Sequence, residues 1–95
     1  MYEREPKSAR EVLSYAAHAR LRGATPTYII CGKNGPTGKT WLCDELKRLG
    51  HNAIEVSGGL NDLVDYRDNE NHLRNDGFGL VLIVLNKPLD YRWKL

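Results

Sequence analysis

The chain predicts an α/β fold, with a small, mainly parallel sheet, helices on both faces and an antiparallel hairpin at its C-terminal edge. Three observations lead there. Short apolar runs alternate with segments of helical periodicity, so strand–helix–strand units with right-handed crossovers are expected. The run Leu80-Val81-Leu82-Ile83-Val84-Leu85 is apolar on both faces, as suits a central strand. Leu89-Asp90-Tyr91-Arg92-Trp93-Lys94-Leu95 alternates apolar and charged residues without a break, the pattern of a half-buried edge strand. Ninety-five residues are enough for a single domain, 1–95, around one core.

The expected element order is α-β-α-β-α-β-β. Ser8-Ala9-Arg10-Glu11 forms a capping-box pattern, and Val12, Leu13, Ala16, Ala17 and Leu21 follow at near-helical spacing until Gly23. Pro26 breaks that pattern, and residues 27–31 read as a short buried strand. A glycine-rich loop follows. Leu42, Cys43, Leu46 and Leu49 then form a helical stripe, with Asp44, Glu45, Lys47 and Arg48 outward and Gly50 as the stop. Residues 52–56 read as a second strand, closed by Ser57-Gly58-Gly59. A weaker helix begins at Leu60, Leu63 and Val64, turns polar through Asn69 and Asn71, and resumes at Leu73. Gly77 and Gly79 precede the strand 80–85. Asn86-Lys87-Pro88 makes a turn, which sets residues 89–95 antiparallel to that strand.

Composition narrows the function classes. Hydrophobic content of 41% and charged content of 27% are those of a soluble globular domain, and a net charge of +2 is too small to indicate nucleic acid or an anionic membrane. Acidic residues gather between Glu55 and Asp76, where six face only Arg67 and Arg74. Cys31 and Cys43 are too far apart for a C-x-x-C motif and read as two packed free thiols, while His18, His51 and His72 show no metal-ligand spacing. The opening Met1-Tyr2-Glu3-Arg4-Glu5 is charged and lacks the apolar core of a signal peptide, and the longest apolar run is too short to span a bilayer. A cytoplasmic location, with no membrane partner, is the expectation.

The chemistry is expected in Gly32-Lys33-Asn34-Gly35-Pro36-Thr37-Gly38-Lys39-Thr40. A glycine-rich turn between a strand and a helix aims backbone N–H groups and a helix N-terminus at one point, which suits a phosphate. From Tyr28 to Gly50 the chain resembles the opening of a P-loop NTPase, with Gly38-Lys39-Thr40 standing as the end of a Walker A loop. That resemblance implies that Lys39 reaches the β- and γ-phosphates and that Thr40 is a Mg²⁺ ligand when a Mg-nucleotide binds. It also implies that Gly35 and Gly38 let the backbone approach; Lys33 is similar to the extra lysine of the deviant Walker A group. The loop is one residue longer than G-x-x-x-x-G-K-[ST], Pro36 removes a backbone donor, and no Walker B acid follows Leu85, where Asn86 stands instead.

A second resemblance is to glutaredoxins and NrdH-type redoxins, of thioredoxin-like fold. Gly35-Pro36-Thr37-Gly38 occupies the place of their Cys-Pro-Tyr-Cys, and residues 80–95 fit their hairpin. Without those cysteines, thiol–disulfide exchange is not expected.

Together these residues point to a small non-catalytic module that binds a phosphate-bearing ligand, a nucleotide or similar, through Gly32, Lys33, Gly35, Thr37, Gly38, Lys39 and Thr40. The alternative is a redox-dead, glutaredoxin-like adaptor or inhibitor of the phage or plasmid accessory type, acting on a protein partner. Trp41, one position off the apolar stripe and beside the loop, is its candidate interface anchor; Trp93 alternates inward. A minimal NTPase or kinase ranks third, since only Asp62 and Asp65 offer themselves as acids and nothing in their spacing singles them out.

Overall fold

The computed structural model describes residues 2–4, 9–32, 37–56, 71–77 and 79–89. Within them the elements are β1 (Tyr2–Arg4), α1 (Ala9–Leu21), β2 (Thr27–Gly32), α2 (Lys39–Arg48), β3 (Asn52–Glu55), β4 (His72–Asn75) and β5 (Leu80–Leu85). The α/β class is the one expected.

α1 buries Ala9, Val12, Leu13, Ala16 and Ala19, the i, i+3, i+4, i+7 stripe of an amphipathic helix. Leu21 falls off that stripe and is 84% exposed, so Ala19 takes the inward place expected of it. Both helices close in a Schellman arrangement. Ala24 N–H bonds the Ala19 carbonyl and Gly23 N–H that of Arg20, while His51 N–H bonds Leu46 and Gly50 N–H bonds Lys47. The capping residue Ser8 lies outside the described residues.

The strands form one mixed sheet of order β1-β4-β5-β2-β3. β2 pairs parallel with β3 on one side and with β5 on the other; β4 pairs antiparallel with β5 and with β1. The antiparallel hairpin thus forms one element earlier than the sequence suggests. β5 has a neighbour on each side through residues 81–84, so its antiparallel partner is β4 and not the segment that follows it. Leu73, where the third helix was expected to resume, is instead a buried residue of β4 paired with Ile83. Asn75 and Asp76 make the turn: Asn75 Oδ1 accepts from Gly77 N–H at 2.8 Å and Asp76 Oδ1 from Leu80 N–H at 3.1 Å. Residues 60–70 of the third helix and 90–95 of the expected edge strand lie outside the described residues.

Strand alternation sorts the core. Tyr28, Ile30, Ala53, Leu73, Val81, Ile83 and Leu85 face α1 and α2 and join Val12, Leu13, Ala16, Leu42, Cys43 and Leu46 in the main cluster. Cys31, Leu82 and Val84 point the other way and pack with Ile29 and Val56 in a smaller cluster. Both described helices therefore share one face, and the residues of the third expected helix lie outside the described ones up to residue 70. The two thiols sit in separate clusters on opposite sides of the sheet and are free.

Candidate functional site

β2 ends between two parallel neighbours, so the loop that leaves it emerges at the carboxyl edge of the sheet, where open α/β sheets hold ligands. Gly32 closes the strand with φ +147°, opposite Leu85, and a Cβ there would be driven into the Leu85 carbonyl. The chain can pass so close to β5 only as glycine. Lys33, Gly35 and Pro36 lie outside the described residues.

Gly38 is the N-cap of α2, with φ 90° and ψ 15° in the left-handed region and no side-chain cap. Its carbonyl already accepts from Leu42 N–H at 2.9 Å. An N-cap without a side chain puts nothing of its own over the first helical turn. Ahead of it stands Thr37, 5% exposed.

Lys39 is the first helical residue and is 7% exposed. Its Nζ donates to the Gly32 carbonyl at 3.3 Å, which folds the ammonium back over the point where the strand ends. The charge is felt by Cys31: burial pushes that thiol up, and Lys39 opposes the shift. Thr40 is exposed, and its Oγ1–H donates to Glu55 Oε1 at 2.7 Å. Glu55 ends β3, and its carboxylate also helps to push up the buried Cys43 thiol, behind burial itself and Asp44 and against Lys47.

Of the expected ligand residues, Gly32, Thr37, Gly38, Lys39 and Thr40 are thus gathered at one helix end. Two residues were missed. Glu55 is an acid at the end of β3, the strand beside the loop strand, and not at the end of β5, the most apolar one. The available signal was an acid closing the first strand after the loop helix. Asn86, expected in the turn, is a buried amide at the carboxyl end of β5, one residue beyond the partner of Gly32.

Other candidates settle into structure. Trp41, the candidate interface anchor, is half-buried and packs against the main cluster. His51 is buried and donates its Nε2–H to the Ala16 carbonyl at 2.9 Å, tying the end of α2 to α1. His18 bonds the Ser14 carbonyl of its own helix. Among the described residues no group of three or more His, Cys, Asp or Glu side chains could hold a metal ion by itself, and no helix is long and apolar enough to cross a membrane. Asp62 and Asp65 lie outside the described residues. Comparison with protein-family models, with curated proteins and with solved structures returns no match to this chain.

Proposed function

We propose that this protein binds a phosphate-bearing ligand, a nucleotide or similar, at the loop of residues 32–40, and that it does so as the Mg²⁺ complex. The observation that carries the proposal is the pairing of Lys39 with Thr40 at the start of α2, with Glu55 hydrogen-bonded to Thr40. Lysine and helix N-terminus supply positive charge and donors to an anion. Glu55 places a negative charge where that anion would arrive, which disfavours a bare phosphate. A divalent cation reverses the sign. One hydroxyl and one carboxylate oxygen are the hard donors that Mg²⁺ takes alongside phosphate oxygens, so Thr40 and Glu55 fit the ion and would hold it. Bound there, Mg²⁺ would neutralise phosphate charge.

Binding rather than turnover is the function proposed. A carboxylate already bonded to Thr40 suits a cation ligand better than a base that must take a proton from water. Titrating ATP, GTP and ADP with and without Mg²⁺, while following backbone amides by NMR, tests the proposal. Gly38, Lys39 and Thr40 amides should shift with Mg²⁺ present, and the Lys39→Ala variant should lose the effect. Unmoved amides at millimolar ligand would overturn it.

A further inference from the structure

Thr37 carries a hydroxyl that no described residue satisfies. Its side chain is 5% exposed, its Oγ1 is sealed from solvent, and no hydrogen-bond partner among the described residues reaches it. A threonine hydroxyl offers one donor and two acceptor sites, and burying it unused costs more than burying the methyl of an isosteric valine. The loop therefore holds a group that destabilises it as it stands. That group sits immediately before the N-cap Gly38 and two residues before Lys39, at the start of a ten-residue helix. A helix of that length carries partial positive charge at this end, and an oxyanion drawn to it brings the acceptor that the hydroxyl lacks.

We propose that Thr37 is a side-chain donor to the bound phosphate, so that ligand binding satisfies a hydroxyl the empty loop leaves orphaned. The proposal rests on the phosphate-binding function above and adds to it a coupling between occupancy and loop stability. Thr37 acts in opposite directions in the two states: it weakens the empty fold and strengthens the occupied one. A residue retained only for packing would not change sign.

Thr37→Val and Thr37→Ser test this against wild type. Thermal unfolding is measured without ligand, and calorimetric titration is run with inorganic pyrophosphate and with ADP, both with Mg²⁺. The valine variant should unfold at a higher temperature when empty, yet bind about ten- to a hundredfold more weakly, the worth of one hydrogen bond to a charged acceptor. The serine variant should bind within about threefold of wild type, since it keeps the donor. A valine variant that binds as tightly as wild type overturns the proposal and leaves phosphate binding standing. An empty valine variant that is less stable, or does not fold, overturns it too, because the hydroxyl then has a partner within the loop. Wild type that binds neither probe removes the phosphate-binding function itself, and this proposal with it.

Discussion

Tyr28 is the second residue of β2, with its ring fully buried against His51, centroids 5.0 Å apart and planes at 73°. Its hydroxyl is buried without a hydrogen-bond partner among the described residues. Phenylalanine would keep the edge-to-face contact and remove the orphaned group, so Tyr28→Phe should stabilise the protein at neutral pH by about 1–3 kcal/mol. The same burial, with Tyr15 adding and Arg22 opposing, pushes the phenol from 10.0 up to about 12. The fold thus holds the proton more tightly than the unfolded chain does. Below the unfolded value both states are protonated and stability is complete; as pH rises from 10 towards 12 the unfolded state ionises first and stability is lost. Two pH units correspond to about 2.7 kcal/mol when the loss is complete, and at about pH 11 it amounts to about 1.4 kcal/mol. The variant lacks this loss. Urea unfolding of both proteins, followed by tryptophan fluorescence, should show a gap at neutral pH that widens by that amount at about pH 11. A variant less stable than wild type at neutral pH, or a gap that stays constant with pH, would refute the reasoning.

Two further substitutions probe the loop. Gly32→Ala forces a Cβ into the Leu85 carbonyl at a φ of +147°, and should cost about 3 kcal/mol or more, read as a shift of the denaturation midpoint or loss of soluble protein. Glu55→Gln keeps an acceptor for Thr40 and removes the charge. It should abolish the Mg²⁺-dependent part of nucleotide affinity while leaving or raising the metal-free part, measured by calorimetry with and without the ion. An unchanged Mg²⁺ dependence would remove Glu55 from the site.

The parts of the fold legible in the sequence are those whose burial pattern is self-contained. β5 shows itself as six apolar residues because it has sheet neighbours on both edges and packing on both faces. α2 shows itself because its buried face recurs every three to four residues. β1 and β4 carry no such mark. Tyr2-Glu3-Arg4 and His72-Leu73-Arg74-Asn75 have little apolar content, and each pairs with a strand distant from it in sequence or across a turn that no alternating pattern announces. Asp76-Gly77 is a strong hairpin dipeptide, but with only Leu73 as an aliphatic residue in the strand before it, the signal had no alternating flank to support it.

The candidate site divides along the same line. Lys39 and Thr40 are adjacent in sequence to the glycines that position them, so composition and spacing suffice to find them. Glu55 reaches Thr40 across fifteen residues, and what brings them together is the choice of neighbour for β2. The strand after the loop helix pairs directly with the loop strand, Ile30 opposite Glu55, so the carboxyl ends of both strands reach the same edge. Had another strand been inserted between them, Glu55 would stand about 5 Å further away in the sheet, beyond hydrogen-bond reach of Thr40. Strand order, which no periodicity encodes, therefore decides whether the proposed anion site has a carboxylate beside it. It is that carboxylate that makes a divalent cation part of the proposed ligand.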